Sequence, residues 1–560
     1  MQCKQCTTQF EITATDRAFY KKIGVPEPAE CFDCRRQQLM AWRNERTLYN
    51  TACALCKKSI ITMYDPTRGN TIYCQACYWS DNWDPFVSGR DFDFSRPFFE
   101  QFAQLMQEAP RIALINTKTE NSEYCNRIYD GKNNYLSFIA LREPENLYHT
   151  HFTMHCKDSV DISYCEETQK GYDDVDAGHS YNCLYSTRIE NCIDSYFLED
   201  CKGCSNCFGC KNLRQKSYCI FNKQYTKEEY FEKLKQFNVG SYSAREVIKK
   251  QVRDFFLQHP YKYNYIVDCE NVSGVNLIRC KNSQHVFDLY DSQDCHYTTH
   301  AEKSNNCYDC YGMSGGAFNY YSVTVGMQGA SNVLFSAGSI GCFNMSYCFE
   351  CYSGAYDCFG CSGMKKNNYC ILNKQYSKEE YTALRERIIE HMKKTGEWGQ
   401  FFPKNIAPFA YNETMAQFYM PLTQVEATKR GFQWKAKDDK EYQKQIYTIP
   451  DTIDDVGCDI VTQILACVDC GKNYKVIKQE LLLYKAQQVP IPRHCPTCRF
   501  SQRMMRRNPR ELHHRQCLCA LPGHELHKEG EVCHTTFDTP FKPERPEKVF
   551  CEQCYQKEVI

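Results

Sequence analysis

The chain has no net charge, with 68 Lys and Arg against 68 Asp and Glu over 560 residues. A protein that coats nucleic acid through bulk charge is basic, so that class is excluded and any such contact is local. Runs of about 18 apolar residues are missing, so no membrane-spanning helix is expected. The opening MQCKQC lacks the regions of a secretion signal. The paired glycines and fixed Asp of calcium-binding nonapeptides are also missing, so calcium is not implied. His300-Ala301-Glu302 is followed by no P-C-x-x-C, which removes zinc-deaminase chemistry. No βαβ pattern is found, and a redox C-x-x-C is expected beside one.

What the chain does have is cysteine, 39 in all, many in paired C-x2-C knuckles. Without a secretion signal, such knuckles favour metal binding in a reducing compartment, and a cytoplasmic location is expected. From Cys183 a cysteine opens every block of nine, through Cys192, Cys201 and Cys210 to Cys219. The register runs back through Cys165 to Cys156, with Asp174 where one is missed. The tail of the pattern, FGC-KNLRQK-SYCIFNKQYTKEEY at 208–230, recurs 151 residues later as FGC-SGMKKN-NYCILNKQYSKEEY at 359–381. Such a fixed short period marks stacked units. A strand and a tight corner take about 8–10 residues, so each block reads as one side of a flattened β-solenoid coil, with cysteine on the inner side.

Thr226 with Glu229, and Ser377 with Glu380, read as capping boxes that start a helix after each solenoid. Tyr230, Leu234 and Phe237, then Tyr381, Leu384, Ile388 and Met392, give those helices an apolar face to cover the open coil ends. A further helix is expected after Ser95, an N-cap before Pro97, docking through Phe98, Phe102, Leu105 and Met106. The fold class is mainly β, with zinc ribbons at both ends flanking two Cys-rich β-solenoids. The expected order is ribbons over 1–50 and 51–90, a helical connector over 91–115, a solenoid over 116–225 and helices over 226–260. A second solenoid over 261–376, a helix over 377–395, a connector over 396–455 and ribbons over 456–512 and 513–560 follow.

Zinc takes four thiolates in a tetrahedron, and two knuckles supply two each. Cys3 and Cys6 with Cys31 and Cys34 form one such set, with short strands expected between the knuckles. Cys53 and Cys56 with Cys74 and Cys77 form the next. Cys467, Cys470, Cys495 and Cys498 repeat the first set at an offset of 464. In the last ribbon Cys533, Cys551 and Cys554 match Cys56, Cys74 and Cys77, but Gly530 stands where Cys53 maps. Its fourth ligand is one of Cys517, Cys519, His524 and His527, with Cys517 in register behind an insertion, and a second ion is open. About four zinc ions are expected, with more if the solenoid cysteines bind metal.

The run Cys201, Cys204, Cys207 and Cys210 resembles an iron–sulfur string, but lacks its x3-Cys-Pro ending. Its second copy reads Tyr352, Ala355, Cys358 and Cys361, so half the ligands are lost. A structural ladder or a local zinc is favoured over a cluster there, and Cys348, Cys351, Cys358 and Cys361 form a further candidate zinc set. His149, His151 and His155 alternate and would share one strand face, either solvated or around a metal.

Arginines follow both outer ribbons in register: Arg35, Arg43 and Arg46 pair with Arg499, Arg507 and Arg510. Arg503 and Arg506 add to the second stripe, which holds six arginines and no acid between Arg493 and Arg510. Such a stripe beside a knuckle suits phosphate, since Arg forks onto its oxygens; the alternative is pairing with acidic faces of the same chain.

The segments CKQCTTQFEIT, CFDCRRQQLMAWRNERTLY, GRDFDFSRPFFEQF, NKQYSKEEY and FKPERPEKVFCEQCYQKEV resemble a family of cysteine-rich multi-zinc-ribbon proteins common in candidate-phyla bacteria of the Patescibacteria type. The resemblance covers nearly the whole chain and implies the compartment, the domain order and a Cys-x-Cys plus His-rich ending. Some members carry a CoA-transferase label, which this sequence does not support.

Three function classes follow. The first is a non-enzymatic zinc scaffold that grips nucleic acid or a ribonucleoprotein through its Arg-rich ribbons, and the second a scaffold for protein partners with aromatic anchors. The third is a thiol- or metal-dependent enzyme, disfavoured because four-thiolate sets are closed.

Overall fold

A backbone rule of three builds this molecule. In the computed structural model, every third residue from Lys118 to Phe221 sits in the left-handed region, with one step in register at Arg142–Glu143. The structure describes residues 1–326, 329–352, 354–436, 441–528 and 530–559. Strands pair in parallel with residues twelve further on: Tyr181 with Ile193, Ile193 with Ser205, Ser205 with Ser217. Each coil is therefore four triplets with four left-handed corners. The residue after each corner is buried in the bore, as in Ile189, Cys192, Ser195, Leu198 and Cys201.

This corrects the nine-residue reading. A side of the coil is three residues and a full coil twelve, so cysteines nine apart are three triplets apart and fall on different sides. A solenoid is nonetheless what the repeat encodes.

Left-handed backbone costs an ordinary L-residue about 1–2 kcal/mol, and Asn, Asp and Gly tolerate it best. Many corners are of those types, including Asp158, Asp161, Asp173, Asp176, Asn182, Asn191 and Asn206. Where corners are aromatic, stacking offsets the strain: Tyr185 and Phe197 lie 4.6 Å apart, nearly parallel. Each corner N–H also donates to the coil behind, as from Tyr185 to Tyr172 O at 2.7 Å and Phe197 to Leu184 O at 2.9 Å.

The chain divides into two compact units. Unit 1 joins Met1–Leu114 to Tyr265–Ala436, so the two N-terminal ribbons belong with the second solenoid. Unit 2 joins Ile115–Asn264 to Lys437–Ile560, placing the C-terminal ribbons with the first solenoid. Ribbons precede their solenoid in unit 1 and follow it in unit 2.

In unit 1, eleven strands from Ile266–Val267 to Lys374–Gln375 lie in one sheet, the last antiparallel to Asn368–Ile371. Tyr308, Tyr320, Leu334, Phe359 and Ile371 line the covered outer face. Against it pack the helix Phe98–Glu108, with Phe98 5.4 Å from Phe359, and the helix Phe32–Met40. Ser95 does not cap the first of these. The helix opens after Pro97, and its free N–H groups at Phe98 and Phe99 donate to the Glu397 carboxylate at 2.9 and 2.7 Å. Between the first two knuckles stands a helix, Ala14–Ile23, opened by a Thr13–Asp16 capping box, where short strands were expected.

In unit 2, the column Tyr148, Val160, Tyr172, Leu184, Tyr196, Phe208 and Ile220 runs up the coils at steps of twelve, over a bore of small apolar residues. The helices Tyr242–Phe256 and Lys478–Ala486 cover that column through Ile248, Val252, Leu481 and Tyr484. Both last coils end alike. A short strand turns back antiparallel, and a helix with the expected capping box follows, Lys227–Leu234 in unit 2 and Lys378–Thr395 in unit 1. This shields a sheet edge that would otherwise pair with another chain. Among the described residues no helix is long and apolar enough to cross a membrane.

Candidate metal centres

All 39 cysteines are free thiols. Four four-cysteine sets have their sulfurs within 4.8 Å of one another: Cys3, Cys6, Cys31, Cys34; Cys53, Cys56, Cys74, Cys77; Cys467, Cys470, Cys495, Cys498; and Cys517, Cys533, Cys551, Cys554. Part of their local build is shared. In the first three sets the first two ligands flank a tight turn, which a short hairpin carries at Tyr49–Ala52 with Ser59–Thr62 and at Leu465–Ala466 with Asn473–Tyr474. The third ligand is a helix N-cap: Cys31 before Phe32–Met40, Cys74 before Gln75–Trp79, Cys495 before Pro496–Met505, Cys551 before Glu552–Glu558.

That placement aims the backbone N–H at the helix end toward the first ligand's sulfur, which favours the thiolate there. The N–H of the third ligand donates to the first sulfur at 3.2 Å in three sets, Cys31 to Cys3, Cys74 to Cys53 and Cys551 to Cys517. Burial raises the Cys53 thiol, yet N–H groups of Cys74, Cys56 and Leu55 aimed at it bring it down to about 6. Cys467 falls to about 7 through the same contacts from Cys495, Cys470 and Asp469, again against burial. Sulfur separations of 3.6 Å for Cys6–Cys31, 3.9 Å for Cys56–Cys74 and 3.7 Å for Cys470–Cys495 match the edge of a tetrahedral zinc–thiolate site, about 3.8 Å from Zn–S bonds of about 2.3 Å. These sets can each hold a metal ion.

The shared N–H contact settles the last ribbon. Cys517 takes the place of Cys53, and the second ligand, Cys533, is delayed by an inserted loop. The loop carries Cys519, His524 and His527, whose ligand atoms lie within 4.8 Å of each other and of Cys554.

The solenoid cysteines are arranged differently. Cys201, Cys204, Cys207 and Cys210 fill the four inward positions of one coil, and Cys348, Cys351, Cys358 and Cys361 also lie in a bore. Among the described residues neither run supplies a group of ligand atoms close enough for one ion. Their S–H groups donate instead to coil carbonyls, Cys201 to Cys210 O at 3.5 Å and Cys361 to Cys370 O at 3.4 Å. Burial holds the Cys201 thiol well above its ordinary value, which suits a neutral filler.

The arginines expected at phosphate are turned inward. In unit 2 Arg503 is fully buried, bonding Asp161 Oδ1 at 2.5 Å, Ser163 Oγ at 3.1 Å and His149 O at 3.0 Å. Arg499 donates to the other oxygen of Asp161, Arg506 to Asp173 at 2.7 Å, Arg507 to Asp176 at 2.8 Å and Arg510 to Tyr164 Oη at 3.3 Å. In unit 1 Arg35 bonds Asp309 at 2.7 Å, and Arg43 reaches Glu45 at 2.6 Å and Thr324 Oγ1 at 3.3 Å. Arg43 lies so close to Gly312 that a Cβ there would stand 1.5 Å from its Nη1. Arg46 is half-buried. Acidic corners of the solenoid, favoured for their left-handed backbone, thus double as counter-ions. The sequence signal was Asp in pairs three apart, Asp158 with Asp161 and Asp173 with Asp176.

The alternating histidines separate, because a corner intervenes every third residue. His149 is buried 3.2 Å from Glu480, His151 packs on Phe500 at 4.9 Å and His155 is exposed. Burial works against the Glu480 charge, but His149, Arg499 and Tyr484 hold its carboxyl down to about 2. No protein-family model and no curated protein matches the chain.

Proposed function

We propose that this chain is a non-enzymatic, zinc-stapled scaffold whose uncovered coil faces bind protein partners. The observation that carries this reading is how the coil surface is divided. Faces with acidic corners are covered by the ribbons' own arginines. Another face leaves apolar side chains in ladder positions: Tyr181 and Ile193, twelve apart, are 40% and 46% exposed in unit 2. In unit 1 Phe343 is 41% exposed and stacks on Tyr356 at 4.8 Å. Rigid aromatic and aliphatic anchors on a fixed backbone are what a protein interface uses.

Zinc is the favoured metal because closed four-sulfur sets suit its tetrahedral, redox-silent chemistry. Nucleic-acid or ribonucleoprotein contact loses the side chains that recommended it, since they hold the ribbons to the solenoids. An alanine variant of Arg503 and Arg507 would unfold unit 2 rather than report on binding.

The test is crosslinking of the tagged chain in its native cell, comparing wild type with Tyr181→Ser/Ile193→Ser and Phe343→Ser. Protein crosslinks that weaken in the variants and persist at high salt support the reading. Stoichiometric nucleic acid, unchanged by these substitutions and lost at high salt, would sink it.

A further inference from the structure

The last ribbon holds more ligands than one ion needs. Cys517, Cys519, Cys533 and Cys554 are fully buried and Cys551 is nearly so, giving five thiols around one point of unit 2. His524 and His527 are buried beside them, at 9% and 8% exposure, with rings stacked 5.2 Å apart. We propose that this ribbon binds two zinc ions bridged by the Cys554 thiolate, the first held by Cys517, Cys533 and Cys551, the second by Cys519, His524 and His527. This rests on the ribbons being metal sites, and adds a second nucleus that the other three sets lack.

Three observations carry it. Both quartets meet the same closeness of ligand atoms, and Cys554 belongs to both. Cys519 Sγ lies 3.8 Å from His524 Nε2, near the S···N edge of about 3.6 Å of a tetrahedral zinc site. His527 then supplies the independent sign of an absent partner. Its Nδ1 faces the Lys528 carbonyl at 3.2 Å, so the proton belongs on that nitrogen. The lone pair is left on Nε2, which is buried and has no hydrogen-bond partner among the described residues. An imidazole oriented in this way is a ligand in waiting.

Charge points the same way. Five thiolates around a single Zn²⁺ leave three negative charges buried, whereas two ions leave one, and burying unpaired charge is costly. A bridging thiolate gives one of its three lone pairs to each ion, so seven side chains complete two tetrahedra. Glu558, 3.1 Å from His524 Nε2, yields that nitrogen to the ion. The origin of the site is visible in the chain. The loop between Cys517 and Cys533, absent between Cys53 and Cys56, brings all three new ligands.

The experiment counts metal on the full-length chain by native mass spectrometry, then repeats the count on His524→Ala/His527→Ala. Wild type should carry five ions, one for each ligand set, and the double variant one fewer. Substituting ¹¹³Cd needs no variant and should give two signals mutually split by coupling through the shared sulfur. Four ions in both proteins, and uncoupled cadmium signals, would overturn the second nucleus while leaving the scaffold reading intact. A chain that binds no metal would overturn both.

Discussion

Unit 1 and unit 2 are two versions of one design with the ribbons on opposite sides of the solenoid in chain order. Arg35 on Asp309 and Arg499 on Asp161 are the same contact, offset by 464 on the ribbon and 148 on the coil. Strand steps of fourteen between Tyr320 and Leu334 and thirteen between Phe343 and Tyr356 lengthen the second solenoid, bringing the offset to 151 by its end. The differences lie in the buried polar groups. Leu39 stands in unit 1 where Arg503 stands in unit 2, so Asp309 has one guanidinium and Asp161 two. Burial accordingly pushes the Asp309 carboxyl up to about 6 despite Arg35. The contact between ribbon and coil tolerates permutation because it is made by side chains, while the coil's own ladder is made by backbone.

The largest effect expected from breaking this comparison is metal loss. Cys3→Ser/Cys31→Ser should unfold unit 1 and Cys467→Ser/Cys495→Ser unit 2, since a structural metal ion such as zinc contributes about 10 kcal/mol or more to small metal-bound modules. Hydrogen exchange resolved by segment reads which half loses protection. Equal loss in both halves would contradict independent stapling.

Next comes the buried pair. Asp161→Ala takes a shared carboxylate from two guanidinium groups, Arg499 keeping Glu480 at 3.5 Å, and Asp309→Ala takes one from a single guanidinium. Each should destabilise its unit by about 3–5 kcal/mol, with Asp161→Ala the more severe. Denaturant midpoints of the two variants decide the order.

Smaller, and of opposite sign, is Asp174→Ser. Asp174 points into the bore of unit 2 with Oδ2 unpartnered among the described residues, where unit 1 has Ser322. Ser322 Oγ accepts from Ser336 N–H, as Asp174 Oδ1 does from Ser186 N–H. Burial raises the Asp174 carboxyl well above its usual range, so its contribution to stability is lost as pH rises. The substitution should stabilise unit 2 at neutral pH by about 1–3 kcal/mol. A lower melting temperature would show that the acid is needed.

The smallest effect concerns Lys211, buried beside Tyr261 and Glu199, where unit 1 has Ser362. Burial lowers its ammonium to about 7 from 10.5, with Glu199 opposing. Between those values the unfolded chain binds the proton and the folded one does not, so unit 2 should gain stability as pH rises from about 7 toward 10. Lys211→Met should be neutral or stabilising at pH 7 and flatten that slope in thermal melts. A slope that persists in the variant would assign it to another group.

The solenoid was legible in its cysteines, but its geometry was not. Cysteines nine apart reported the inward column only as a multiple of three, and the corners that set the coil at twelve carry Asn, Asp, Gly and aromatics alike. Three of the four-cysteine sets could be read outright, because a ligand pair within one turn needs no tertiary information. The fourth needed the fold, since a fifteen-residue loop separates Cys517 from Cys533 and only the N–H of Cys551 on its sulfur identifies the first ligand. The arginine stripes were equally visible, and their direction was not. An arginine beside a knuckle looks the same whether phosphate or Asp161 lies opposite.

By itself the sequence determined what is local: knuckle spacing, the triplet-compatible run of small inward residues, and the Thr226 and Ser377 caps, all set by contacts within a few residues. The tertiary structure alone decided which ribbon belongs to which solenoid and whether a charge faces inward. Those choices depend on contacts between segments hundreds of residues apart, where buried complementarity rather than backbone propensity selects the partner.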